Sequence, residues 1–232
     1  MGSLESLAGI SVVIPAAGVG KRMLTKGFPK QYMTVLGKPI LQITLETILS
    51  LKPDRVILVV SPRDNRYKFI DIVEACDVVV GGDERAISVL NGLSKLDVNN
   101  RDFVMVHDAV RPCVRANDIL LLADAVRDHD IGGFLAVPVS QSLKKVSGVK
   151  VETIDREGVW QAQTPQIFRY QFLFDALSKA IEQKLKLVDE SQAIEFLGLE
   201  PLLLKGHLDN IKITEQDDLD LARYYFEKIT CE

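Results

Sequence analysis

The residues best suited to chemistry in this chain sit in a few short clusters. The first is Val12-Val13-Ile14-Pro15-Ala16-Ala17-Gly18-Val19-Gly20-Lys21-Arg22-Met23, followed by Phe28-Pro29-Lys30-Gln31. A β-branched run ends at Pro15 and feeds a loop of small residues, then cations. Gly18 and Gly20 let backbone N–H groups come close to an anion, and Ala16 and Ala17 keep side-chain bulk away. Arg22 and Lys30 supply mobile positive charge for a polyphosphate. Lys21 reads equally as a contact or as a solvated surface lysine. Two better-known phosphate loops do not fit. No Gly-Lys-Ser/Thr occurs, and Met23 stands where a dinucleotide fingerprint carries its third glycine. Two glycines alone would also suit a plain tight turn; the cations favour a nucleotide loop.

A second cluster, Gly81-Gly82-Asp83-Glu84-Arg85-Ala86-Ile87-Ser88, closes an apolar run and opens a helical one. Backbone groups at Gly82 and the Ser88 hydroxyl could read a base edge; the bland reading is a helix start capped by Asp83 with Ser88 buried. In His107-Asp108-Ala109-Val110-Arg111-Pro112, Asp108 could coordinate Mg²⁺ or a sugar hydroxyl and Arg111 could hold a phosphate. A structural Asp108–Arg111 pair is the alternative, and His107 reads as a core histidine. His129 and His207 are isolated in sequence, so no metal cluster is expected. In Asp209-Asn210-Ile211-Lys212, Lys212 suits a phosphate contact or a strand-edge lysine. Asp155-Arg156 and Gln163-Thr164-Pro165-Gln166 yield no role from spacing. Trp160 reads as packing, and Asp217-Asp218-Leu219-Asp220 as a helical first turn favoured by the dipole.

The elements that must position these clusters alternate. Apolar, β-rich runs at 10–14, 55–60, 77–80, 103–106 and 134–139 are separated by helical stretches at 39–50, 65–74, 84–96 and 117–127, the last capped by Asn117. Continuous apolar strands between helices predict an α/β fold with a mainly parallel sheet and helices on both faces. The carboxyl ends of such strands share one rim, which brings the clusters together. Residues 140–160 break the rhythm and read as a hairpin or arm. Helices return at 169–184, 189–197 and 215–229, with strands at 200–204 and 210–213. The parse is one domain over 1–232.

Composition limits the classes. The chain has 232 residues, 47% hydrophobic and 26% charged, which suits a globular domain rather than a disordered one. The formal charge of −4 offers no global field for nucleic acid. The three cysteines form no C-x-x-C pair, which suits a reducing compartment. The first twenty residues lack Lys and Arg and include Glu5, so no secretory signal is expected. The apolar runs fall short of the ~20 residues of a membrane helix.

Taken in order, the stretch from Pro15 to Gln31, the Gly82-Asp83-Glu84-Arg85 turn with Ser88, the His107–Pro112 block, Gln163-Thr164-Pro165-Gln166 and Asp209-Asn210-Ile211-Lys212 resemble the 2-C-methyl-D-erythritol 4-phosphate cytidylyltransferase family of the non-mevalonate isoprenoid pathway. The resemblance runs from residue 11 to about residue 222. It implies a Rossmann-like sheet and a homodimer interlocked through a protruding β-arm at about 140–160. It implies transfer of CMP from CTP to methylerythritol phosphate, with Mg²⁺ held mainly by the CTP phosphates. Arg22, Lys30 and Lys212 would be catalytic. Pro15, Ala16, Ala17, Gly18, Gly20, Lys21, Gly82, Asp83, Ser88, Asp108 and Ala109 would line the CTP site. Asp108, Arg111, Ser142, Arg156, Thr164, Asp209 and Lys212 would contact the acceptor, some of them from the partner's arm. The implied location is the cytoplasm of a bacterium, or the plastid stroma for a mature plant-type chain.

The sequence departs from the family pattern in places. The Arg22-to-Lys30 segment is one residue longer than usual, Gln141-Ser142 stands where Asp-Thr is common, and Val188 stands where Thr is usual. A ribitol 5-phosphate cytidylyltransferase shares the CTP loop and would differ around Ser142, Arg156 and Thr164. A non-catalytic nucleotide-binding module is a further alternative, against which the retention of both Arg22 and Lys30 weighs.

Overall fold

The apolar run at the start of the chain forms β1 (Ile10–Pro15), buried along almost its whole length. Its side chains alternate, with Val12 and Ile14 in one core layer and Val13 in the other. Burial on both faces marks the centre of a parallel sheet. The computed structural model describes residues 5–18, 28–97, 99 and 102–231. After β1 come a small hairpin, β2 (Thr34–Val35) and β3 (Lys38–Pro39), then α1 (Ile40–Ser50), β4 (Val56–Val60), β5 (Asp77–Val80), α2 (Arg85–Leu93), β6 (Phe103–Val106), α3 (Ala116–Val126) and β7 (Gly132–Pro138). A hairpin of β8 (Leu143–Ser147) and β9 (Lys150–Ile154) follows, then β10 (Trp160–Arg169), α4 (Tyr170–Glu182), α5 (Glu190–Phe196), β11 (Leu202–Lys205) and α6 (Asp217–Cys231).

The main sheet has the order β11-β7-β10-β6-β1-β4-β5. β10 runs antiparallel to both neighbours, and every other pairing in the sheet is parallel. Leu41, Leu45 and Ile48 of α1 and Ile119, Leu122 and Val126 of α3 pack one face. Val89 and Leu93 of α2, Leu173 and Leu177 of α4 and Ile194 of α5 pack the other. A Cβ on Gly92 would lie 2.6 Å from Val13 Cγ1, so α2 sits on β1 with no room for a side chain. α6 closes a smaller cluster in which Leu219 and Ala222 meet Val110 and Ile213. The expected α/β architecture is the observed one.

Local expectations fared unevenly. Residues 65–74 are not an α-helix but two 3-10 turns, Arg66–Phe69 and Asp71–Ala75, separated by an extended Ile70. The three-residue spacing of buried Ile70 and Val73 suits that tighter winding. Asn117 is not a cap, because α3 begins one residue earlier with Arg115 at the cap position. Residues 210–213 form no ladder. β10 was not expected, because a proline argues against a central strand. A register shift between Ala162 and Gln166 houses Pro165, whose bond to Thr164 is cis. The antiparallel sense of β10 follows from its connection. The chain leaves β7, passes through the β8–β9 hairpin and returns beside β7, and only an antiparallel neighbour can be joined in that way. Trp160, expected to pack, is 39% exposed where β10 emerges from the sheet.

Candidate active site

The chain runs from β1 outward to β4 and β5, then jumps back to β6 on the other side of β1. Strand order reverses there, and in open α/β sheets a crevice forms beyond the carboxyl ends of strands at such a point. A cavity of about 410 Å³ lies at this rim. The end of β1 and the loop after it contribute Pro15, Ala16, Ala17 and Gly18; the turn after β5 and the start of α2 contribute Gly82, Asp83, Glu84, Arg85 and Ser88. Asp108, Ala109 and Val110 follow β6, while Lys30, Gln31, Lys212 and Thr214 complete the wall.

Each wall segment is tied to the sheet. Gln31 Nε2 donates to the Ala16 carbonyl at 2.8 Å, fixing the turn that carries Lys30 to the end of β1. Tyr32 Oη donates to Asp64 Oδ2 at 2.7 Å and holds the other end of that turn. Ile213 N donates to the Val110 carbonyl, which lays the Lys212 segment against the loop after β6. Lys30 Nζ donates to the Ile213 carbonyl at 2.8 Å, so both lysines face the cavity from adjoining strands of loop. Ser88 Oγ accepts from Gly82 N–H at 3.1 Å and donates to the Glu84 carbonyl. A Cβ on Gly81 would lie 2.6 Å from Ser88 Oγ and 2.8 Å from Ala17 Cβ, so a glycine there lets β5 and β1 share this wall.

Asp108 is the electrostatic centre. Its Oδ1 accepts from Arg85 Nε at 3.0 Å, and its Oδ2 lies 2.8 Å from Lys212 Nζ and 3.6 Å from Arg111 Nε. Burial would push this carboxyl up, but Arg85, Lys212 and Arg111 outweigh burial and hold it well below the usual carboxylate range. Arg85 also forks onto Glu190, with Nη1 to Oε1 at 2.6 Å and Nη2 to Oε2 at 3.0 Å. Burial works against the Arg85 charge; Glu190 and Asp108 outweigh it and raise its pKa. The expected Asp108–Arg111 pair is therefore present, as one part of a larger network. Arg111 Nη1 also donates to the Asn210 carbonyl at 2.7 Å.

Behind Asp108 lies a buried relay. Asp108 N–H donates to Thr164 Oγ1 at 3.0 Å, and Thr164 Oγ1 lies 3.1 Å from His107 Nδ1. His107 Nε2 faces the Arg111 carbonyl at 3.3 Å. A carbonyl only accepts, so Nε2 carries the proton and Nδ1 accepts from Thr164. His107 is thus the core histidine the sequence suggested.

The structure brings together Pro15, Ala16, Ala17, Gly18, Lys30, Gly82, Asp83, Ser88, Asp108, Ala109 and Lys212 around one cavity. Gly20, Lys21 and Arg22 lie outside the described residues. Arg111 and Thr164 stand behind the wall. Asp209 is buried and paired with Arg115 at 2.5 Å, away from the cavity lining. Ser142 and Arg156 are exposed on the arm, where Arg156 donates to the Ser140 carbonyl. Within this single chain they do not line the cavity. Sequence reasoning assigned nothing to Arg85 or Glu190, which stand 105 residues apart. Among the described residues no group of three or more His, Cys, Asp or Glu side chains could hold a metal. Asp83 and Glu84 also line the cavity, while both carboxylate oxygens of Asp108 are engaged by Arg85 and Lys212.

The IspD family model, 2-C-methyl-D-erythritol 4-phosphate cytidylyltransferase, matches residues 10–228. The 2-C-methyl-D-erythritol 4-phosphate cytidylyltransferase of Aliivibrio fischeri is 42% identical over 234 residues, covering 98% of each chain. That of Mannheimia succiniciproducens is 43% identical over 94% of this chain and 96% of its own. A crystal structure of 4-diphosphocytidyl-2C-methyl-D-erythritol synthase superposes with a TM-score of 0.80 at 33% identity, covering 94% of this chain and 97% of that one. The Francisella tularensis 2-C-methyl-D-erythritol 4-phosphate cytidylyltransferase gives 0.77 at 33% identity, covering 93% and 99%.

Proposed function

This chain belongs to the 2-C-methyl-D-erythritol 4-phosphate cytidylyltransferase family, and from that membership we propose how its rim cavity carries out the family's reaction. The enzyme transfers CMP from CTP to 2-C-methyl-D-erythritol 4-phosphate, giving 4-diphosphocytidyl-2-C-methyl-D-erythritol and pyrophosphate. One observation carries the assignment of roles: Lys30, Lys212 and the small-residue loop after β1 converge on a single cavity with Asp108.

The reaction joins two anions, so charge repulsion is the first obstacle. The acceptor phosphate is already ionised at neutral pH and needs no general base to attack the α-phosphorus in line. A neutral, buried His107 outside the cavity is consistent with that economy. CTP lies with its base toward Gly82 and Ser88 and its triphosphate along Ala16, Ala17 and Gly18. Lys30, Lys212 and Arg22 offset the accumulating charge on the phosphoryl oxygens. Mg²⁺, when bound, would be held mainly by phosphate oxygens and would supply further charge neutralisation. Lys212 takes the acceptor phosphate with Arg111 adding charge from behind the wall, and Thr164, by holding the Asp108 backbone, keeps the carboxylate in place.

The acceptor site is completed by a second copy of the chain. The β8–β9 ribbon stands clear of the main sheet, with Val146, Val149 and Val151 all more than 60% exposed. A two-stranded ribbon with apolar side chains in water is marginal by itself, and a partner's surface would cover it. Ser142 and Arg156 would then reach the partner's cavity. The bacterial relatives favour a bacterial cytoplasmic setting over a plastid one.

Pyrophosphate release from CTP with 2-C-methyl-D-erythritol 4-phosphate, with and without Mg²⁺, tests this reading. Ribitol 5-phosphate run alongside separates the neighbouring specificity. Release with ribitol 5-phosphate alone would reassign the acceptor, and CTP binding without any release would leave only a nucleotide-binding module.

A further inference from the structure

Arg85 has no part in the scheme above, yet it lines the cavity and touches its central carboxylate. Its guanidinium divides between Asp108 Oδ1 and both carboxylate oxygens of Glu190. Glu190 is 1% exposed, at the first turn of α5, and comes from a part of the chain that otherwise builds the far core layer. Lys212 is held differently. Its side chain is 36% exposed against 26% for Arg85, it rides on a loop outside any helix or strand, and it holds the other oxygen of Asp108 by a single contact at 2.8 Å. A triphosphate and an acceptor phosphate entering beside it compete with Asp108 for the three N–H donors of Lys212. The hold of Lys212 on the carboxylate then weakens as phosphate takes up those donors.

We propose that Arg85, clamped by Glu190, is a positioning residue that remains with Asp108 as its fixed counter-charge and so frees Lys212 to engage phosphate. Glu190 has the complementary task. An untethered arginine at the cavity wall would itself fork onto the triphosphate, because guanidinium matches phosphate bidentately. The bidentate clamp withholds it. This inference rests on the cytidylyl-transfer reading of the same cavity.

The test uses pyrophosphate release, thermal melts, and binding of the non-transferable α,β-methylene analogue of CTP. Wild-type turnover is measured first; its absence would overturn the transfer reading itself. Arg85→Met leaves Glu190 buried without its partner, so it is paired with the double variant Arg85→Met/Glu190→Met. Replacing a whole buried ion pair by apolar groups is often neutral for stability. The double variant is expected to melt near wild type and bind the analogue, yet lose about 10²-fold in kcat, the scale of a misplaced reacting group. Arg85→Lys, which restores charge without the fork, recovers part of that loss. Glu190→Gln lowers kcat while tightening analogue binding severalfold, a change that a merely structural role would not produce. A double variant with wild-type kcat and KM overturns the proposal. So does a kcat loss that disappears once corrected for the analogue-titrated folded fraction. Should the double variant fail to fold, Glu190→Gln decides: unchanged kcat and analogue affinity overturn the proposal.

Discussion

Lys30 is placed by groups other than its own charge. Gln31 pins its turn to Ala16, Tyr32 pins it to Asp64, and its ammonium donates to a backbone oxygen at the cavity edge. Its removal should therefore leave the fold standing and weaken the chemistry. Lys30→Ala is expected to lose about 10²–10³ in turnover, as for deletion of one preorganised charge contact. Near-normal turnover in a folded variant would reject the role. His107 makes a different kind of prediction. Burial pushes its pKa down to about 4, Asp108 opposing and Arg111 adding to the effect. In the unfolded chain it titrates near 6.5, so between these values the unfolded state binds the extra proton. The stability contributed by a neutral His107 is full above about pH 6.5 and declines by about 1.4 kcal/mol per unit as pH falls toward 4. Urea melts across pH 7 to 5 should show that slope, and His107→Gln should flatten it.

At the scale of elements, α2 is the member with least freedom. Gly92 abuts Val13 and Val59, and the same helix starts with Arg85. Gly92→Leu should cost about 1–3 kcal/mol by overpacking, read as a lower melting temperature. Turnover should fall further than stability, because Arg85 moves with the helix. The β8–β9 arm is the opposite case. Val139 N–H donates to the Val159 carbonyl at its base, so a short Gly-containing turn can join β7 to β10 directly. Replacing 141–157 by such a turn should preserve the main sheet and binding of the CTP analogue. If the arm joins two copies as proposed, the truncated chain should sediment as a monomer where the full chain sediments as a dimer, and the KM for the acceptor should rise. A truncated chain that still dimerises would refute the arm's role.

The cavity exists only in the whole molecule. Its walls come from positions as far apart as Pro15 and Thr214, so a ligand bridging them ties the chain's beginning to its end. CTP with Mg²⁺ at about a hundredfold its Kd should add roughly 2.7 kcal/mol. For a chain of this size that shifts the melting midpoint by about 5–11 °C. CMP, which lacks the outer phosphates, should shift it much less in the same thermal melt. No such difference would mean that the cavity does not read the triphosphate. Among the described residues no helix is long and apolar enough to cross a membrane.

Much of this arrangement was legible locally. β1, β4 and β6 announced themselves as unbroken apolar runs, because buried parallel strands need no polar face. The small-residue loop and Lys30 after β1 were readable because small side chains and cations at adjacent positions stand out in composition, and they line the cavity. The sequence by itself thus determined the parallel strands β1, β4 and β6, the rim at their carboxyl ends and most of the cavity lining. Only the tertiary structure decided which charges meet. The Arg85–Glu190 fork spans 105 residues and the Lys30–Ile213 contact 183, and nothing in local composition encodes such distances. It also decided that Gln163-Thr164-Pro165-Gln166 lies within a central strand, since a bulge that shelters a proline forms only once both neighbouring strands are in place. Periodicity follows from the backbone geometry of a few residues, whereas pairing of distant charges follows from where the sheet order turns back on itself.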